Sequence, residues 1–179
     1  MTKAAIICWS KTGNTQQVAD AIEEALSQAN VEVHTTTPQD AGDLDWYDYD
    51  LVCLGFPSYS WHPPAPMDEY LKRSFARYRK QERIKVSSPL VPGKHALVFC
   101  TYSGPHTGID EATPAVDYAG QFFAHLGFAV LAKWCIVGEF HGSLENSTLG
   151  RLGDIRGRPD KQDLEQVRQD TLDILARIQ

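Results

Sequence analysis

Five runs of β-branched and other apolar residues alternate with helix-spaced segments along this chain. The runs are AAIICW at 4–9, VEVHTTT at 31–37, DLVCLGF at 50–56, HALVFCT at 95–101 and FAVLAKWCIVG at 128–138. The first, third and fourth are almost continuously apolar, the pattern of strands buried on both faces of a parallel sheet. Between the runs, apolar residues recur every three or four positions. Val18, Ile22, Leu26 and Ala29 form one such stripe, and Met67, Leu71, Phe75 and Tyr78 a second. Ala112, Val116, Ala119, Phe123 and Leu126 form a third, and Leu164, Val167, Thr171, Ile174 and Ile178 a fourth. Each predicts an amphipathic helix. Thr113-Pro114 pairs a helix cap with proline at the first helical position, and Asp160 is placed to cap the last helix. The acidic connection PQDAGDLDWYDY at 38–49 predicts no more than a brief helical turn.

Strict alternation of strand and helix implies an α/β fold: a doubly wound parallel sheet between two helical layers, joined by right-handed crossovers. The length of 179 residues suits one domain spanning 1–179, and no repeat or low-complexity linker divides it. The exception to the alternation is 139–159, EFHGSLENSTLGRLGDIRGRP, which reads as an irregular loop. A connection of that length in a compact domain is uncommon and often functional.

Composition narrows the setting. A net charge of −6 argues against nucleic acid as the main partner. No apolar run reaches the ~18 residues of a membrane span. The opening MTKAAIICW lacks the apolar core and cleavage pattern of a secretory leader, so a cytoplasmic location is expected. The four cysteines lie singly inside strand-like runs, with no Cys-x-x-Cys pair, as buried reduced thiols do. The charge is uneven. Residues 72–85 hold seven of the 17 Lys and Arg against one Glu. A solvated helix face is the usual reason for such a run, and a docking patch for an acidic partner is the alternative.

Ligands of open parallel sheets bind at the carboxyl ends of the strands. Three loops there carry candidate chemistry. The first, SKTGNT at 10–15, joins strand one to a helix, whose free N-terminal amides favour an anion. Gly13 allows close approach, and Ser10, Thr12, Asn14 and Thr15 add neutral hydrogen-bonding groups. Such a set suits a permanently held phosphate monoester. The loop lacks the G-x-x-x-x-G-K-[ST] pattern of nucleotide triphosphatases, and the chain has no G-x-G-x-x-G. The second loop, GFPSYSWHPP at 55–64, carries Tyr59 and Trp61 at its tip, rings suited to stacking on a flat ligand. The third, CTYSGPHTG at 100–108, offers Tyr102 and glycine-rich backbone. A flat heterocycle with one phosphate fits all three, and FMN is such a molecule. His62, His106 and His141 fall in loops of the same edge, at spacings that match no standard metal site.

With these motifs the sequence resembles the flavodoxin family, from about residue 3 to 138 and again in the last helix. SKTGNT is similar to that family's [ST]-x-T-G-x-[ST] phosphate loop, and PSYSW and TYSG stand at its two flavin-ring positions. The resemblance implies a sheet of order 2-1-3-4-5 with FMN at the switch between strands one and three. It implies that Ser10, Lys11, Thr12, Gly13, Asn14 and Thr15 hold the FMN phosphate. Pro57, Ser58, Tyr59, Ser60 and Trp61 would then lie along the flavin, and Thr101, Tyr102, Ser103 and Gly104 would meet its pyrimidine end. No catalytic side chain and no metal are implied. The function expected is electron transfer between redox partner proteins, a reductase and an acceptor, with Asp68, Glu69, Asp110 and Glu111 as candidate steering charges. Two alternatives stand beside it: an FMN-dependent NAD(P)H or quinone oxidoreductase, and a non-redox module for another phosphate ligand. The chain departs from the family at SWHPP, where prolines replace a flexible glycine-containing peptide, in its basic 72–85 segment, and at 139–159.

Overall fold

The computed structural model describes residues 2–178. Its strands are β1 (Lys3–Cys8), β2 (Glu32–Thr36), β3 (Leu51–Pro57), β4 (His95–Tyr102) and β5 (Ala129–Val137). They form one sheet of order β2-β1-β3-β4-β5 in which every neighbouring pair is parallel. The helices are α1 (Asn14–Gln28), α2 (Ala65–Lys80), α3 (Thr113–His125), α4 (Leu144–Thr148) and α5 (Lys161–Ile178). The expected α/β architecture and strand order are therefore present.

The period of two along each strand divides the core into two layers. Ala4, Ile6 and Cys8 of β1 pack with Leu51, Cys53, Leu97 and Phe99 against α1 and α5. Ala5 and Ile7 pack with Val52, Leu54, Phe56, Val98 and Cys100 against α2 and α3. One close approach is specific. A methyl on Gly55 would stand 2.1 Å from Cζ of Phe99, so the far end of that ring lies against bare backbone.

Three local features refine the sequence pattern. The first is the 38–49 connection, which has the brief helical turn expected, a 3-10 turn at Trp46–Asp48 opened by the Asp45 carboxylate accepting from Tyr47 N. Trp46 is fully buried there: its Nε1 donates to Tyr70 Oη at 2.9 Å, and its backbone N donates to Tyr78 Oη at 2.6 Å. A tryptophan inside an acidic stretch read as loop is thus a core anchor, because two tyrosines of α2 satisfy its donors. Second, Thr113 is not the cap of α3. Ala112 holds that position, Thr113 is already helical, and its hydroxyl donates back to Ile109 O. Asp160 does cap α5, accepting from the amides of Gln162 and Asp163.

Third, the basic segment is neither merely solvated nor wholly free. Arg73 donates to Pro38 O, and Arg77 to Asp43 and to Leu44 O. Arg77 and Arg83 also lie over the rings of Tyr78 and Tyr47. These guanidiniums pin the acidic 38–49 connection onto α2 and stack on its aromatics, a pairing of forked donors with carbonyls that lysine reproduces poorly.

The Gly55 contact gives a stability prediction. Gly55→Ala forces Phe99 off its seat in a close-packed layer, which costs about 1–3 kcal/mol. The urea midpoint should fall accordingly with an unchanged slope.

Candidate functional site

The carboxyl ends of β1, β3, β4 and β5 open onto a cavity of about 550 Å³. The three loops singled out in the sequence converge there, joined by the segment after β5.

The first loop sits where α1 begins. Gly13 is the N-cap, left-handed at φ 98, and its amide donates to Ser10 Oγ at 3.1 Å. The first turn of α1 has neither a side-chain cap nor an acidic residue. Its leading amides have no intrahelical acceptors; Gln17 N, bonded to Gly13 O at 3.0 Å, begins the helical ladder. Of the six residues, Thr12 and Asn14 line the cavity. Lys11 points to solvent. Thr15 is buried, and its hydroxyl is 2.7 Å from that of Thr101 on β4. Its side chain ties α1 to the sheet rather than facing the cavity.

The second loop is a hairpin. Tyr59 and His62 exchange backbone bonds in both directions, at 3.0 and 3.1 Å. The two residues between them, Ser60 and Trp61, are both left-handed, at φ 48 and 64. A two-residue turn of this kind favours Asn-Gly, and Ser-Trp in its place carries strain. The turn holds Tyr59 and Trp61 outward, 44% and 59% exposed, at the cavity mouth. Trp9 braces Tyr59 edge-on at 6.2 Å. Pro57, Ser58 and Ser60 complete this wall, with Ser58 Oγ donating to Glu111 O at 2.6 Å. His62 donates from Nδ1 to Pro63 O, since a carbonyl can only accept, which leaves Nε2 4.0 Å from Asp68 Oδ1.

The third loop contributes all four expected residues, Thr101, Tyr102, Ser103 and Gly104, to the cavity lining. Ser103 Oγ donates to Gly138 O at 2.8 Å. Glu111 accepts from the amides of His106 and Thr107, so it organises this loop instead of facing solvent as a free charge. Asp68 is likewise engaged. Burial works to raise its pKa, but the bonds from Lys72 and from Tyr118 Oη (2.7 Å) outweigh that and hold it below the usual carboxylate value. Glu69 and Asp110 remain exposed.

The fourth wall was only half anticipated. The sequence marked 139–159 and its His141, yet gave no partner for them. Asn14 Nδ2 donates to Glu139 O at 3.0 Å, and His141 Nε2 lies 3.1 Å from Asn14 Oδ1. A methyl on Gly138 would stand 2.8 Å from Asn14 Nδ2, so a side chain there would push Asn14 from its present bonds. Phe140, His141 and Asn146 join His106 along the cavity. The segment is also more ordered than its composition implies. It contains α4, capped by Ser143, and Ser147 Oγ bonds both backbone groups of Phe140. Its partners lie some 125 residues away in sequence, which is why no local pattern announced them.

The turn strain is measurable. Ser60→Gly relieves one left-handed L-residue, about 1 kcal/mol, and should raise the urea midpoint of the protein without added ligand.

Residues 5–96 match the model of a family described as a flavodoxin domain. Over 72 residues the chain is 35% identical to "Probable flavodoxin 2" of Bacillus subtilis (strain 168), a stretch covering 40% of this chain and 46% of that protein. Among solved structures, the flavodoxin of Streptococcus pneumonia TIGR4 superposes with a TM-score of 0.68 at 19% identity, over 98% of this chain and 99% of that one. Oxidised Flavodoxin 1 from Bacillus cereus gives 0.68 at 18% identity, over 98% of both chains. These structural likenesses speak to the fold; the family match spans just over half of the sequence and carries the assignment. The chain belongs to the flavodoxin family.

Proposed function

We propose that this protein binds FMN at the carboxyl edge of its sheet and carries electrons between redox partner proteins. The observation that carries the reading is the pairing of two unspent features across one cavity. On one side the first turn of α1 offers amides with no cap and no competing carboxylate. On the other, a strained turn keeps two aromatic rings exposed. An anion belongs at the first and a flat ring beside the second. The residues fit FMN: a volume of about 550 Å³ lies within the range of cofactor pockets, and Thr12 and the α1 amides supply neutral donors for a phosphate.

In this reading Thr12 and the leading α1 amides, that of Asn14 among them, grip the phosphate, with Lys11 contributing through its backbone and Gly13 shaping the turn. Thr15 acts through Thr101, fixing the helix start rather than touching the ligand. Pro57 to Trp61 flank the ring system, and Thr101 to Gly104 meet its polar edge. FMN supplies the redox chemistry when bound, while the protein supplies orientation, exclusion of water and access. The exposed Glu69 and Asp110 are available to orient a positively charged partner.

One observation favours a second reading. His106, Phe140 and His141 extend the cavity beyond the three loops, which leaves a wall for a small acceptor in an NAD(P)H or quinone oxidoreductase. Two measurements separate the cases. FMN titrated into flavin-free protein should bind one to one, and Trp61→Ala should weaken it about tenfold, the scale of one lost stacking contact. The bound flavin should then be reduced quickly through a flavoprotein reductase and only slowly by NAD(P)H alone. Steady turnover of NAD(P)H with a quinone would make the protein an oxidoreductase. Failure to bind FMN at all would leave the non-redox alternative.

A further inference from the structure

Two of the four cysteines meet where nothing in the cofactor reading uses them. Cys100 on β4 and Cys135 on β5 occupy directly paired positions of the ladder, and both side chains belong to the layer beneath α2 and α3. Their sulfurs are 3.9 Å apart, with the Cys100 thiol donating to Cys135 Sγ. Cys8 and Cys53 lie in the opposite layer.

The two thiols are unequal. Cys100 is fully buried, whereas Cys135 is partly accessible because β5 is the edge strand of the sheet. The bond from Cys100 lowers the Cys135 pKa. Burial and the nearby Asp117 carboxylate oppose that shift, and the Lys133 ammonium, itself paired with Asp117, adds to it. The bond from Cys100 to Cys135 and burial both raise Cys100. The nucleophile is thus the outer sulfur and the resolving thiol the inner one, the division of labour of a dithiol exchange pair.

Neighbouring strands are spaced 4.7–4.9 Å apart, inside the Cα separation that a disulfide spans. Closing the pair requires the sulfurs to approach by side-chain rotation and a small adjustment of β5, an edge strand paired on one side only.

We propose that Cys100 and Cys135 are a reversible dithiol that closes to a disulfide by exchange with a low-molecular-weight disulfide. The Cys135 thiolate attacks one sulfur of the small disulfide, forming a mixed disulfide and expelling one small thiolate. Cys100 gives up its proton, attacks Cys135 Sγ and expels the second. The protein dithiol loses two electrons and two protons, and the small disulfide becomes two thiols. The step needs no flavin. It sits next to the functional edge all the same: Thr101, which holds Thr15, follows Cys100, and the run after Cys135 leads to Gly138 and its contact with Asn14.

The test treats the reduced full-length protein with glutathione disulfide, then unfolds it and alkylates the remaining thiols for mass analysis. Two of the four thiols should become protected, with the mass of two hydrogen atoms lost, no glutathione retained and a linked peptide pair containing Cys100 and Cys135. Dithiothreitol should restore all four. Cys100→Ala should instead trap one glutathione on Cys135, and Cys135→Ala should leave the protein unmodified. Four alkylatable thiols after prolonged exposure of the wild-type protein would overturn the proposal, whatever the variants do. So would bridges or adducts through Cys8 or Cys53.

Discussion

The Thr15 hydroxyl meets that of Thr101 in a buried contact of 2.7 Å, and much of the carboxyl edge of the sheet hangs on it. Neither group can be left alone at that depth without a desolvation cost of about 1–3 kcal/mol. The contact fixes the first turn of α1 against the end of β4, across β3. Asn14, one residue earlier, is then presented to Glu139 O and to His141. One turn of one helix is thereby bonded to β4 and to the segment after β5. The start of the helix, uncapped by any side chain, borders the cavity through Asn14, while the Asn14 and Thr15 side chains hold the walls together.

That arrangement separates binding from support within a single motif. SKTGNT looks uniformly suited to gripping a ligand, yet only Thr12 and Asn14 of the six face the cavity. Ser10 receives the Gly13 amide, Thr15 is spent on Thr101, and Lys11 is turned outward. The aromatic turn follows a similar logic in reverse. Ser60 and Trp61 occupy backbone conformations that favour glycine, and the strain persists because the Tyr59–His62 bonds and the following prolines over-determine the turn. The turn leaves the Tyr59 and Trp61 rings exposed at the cavity.

The fold was legible because its signals are local and periodic. Continuous apolar runs gave buried strands, three-to-four spacing gave the four long helices, and their alternation left one architecture to consider. The loop residues of the site were legible for a related reason: they follow strand ends, and strand ends share an edge. What stayed hidden depends on partners far along the chain. Trp46 reads as loop until Tyr70 and Tyr78 are seen to satisfy it. Glu111 and Asp68 read as surface charge until their donors are known. The wall at 139–141 has no periodicity; the bonds of Asn14 to Glu139 O and His141, and of Ser147 to Phe140, hold it in place.

In the proposed function the uncapped start of α1 grips a phosphate, placed so that a ring on the same ligand reaches the aromatic turn. The direct measurement compares the affinity of the flavin-free protein for FMN and for riboflavin, identical except for the phosphate. Several charge-assisted bonds to the amides predict that FMN binds at least about a hundredfold more tightly, at about 1.5–3 kcal/mol for each such bond. Equal affinities would contradict the account, since the amides of α1 would then not be holding the phosphate.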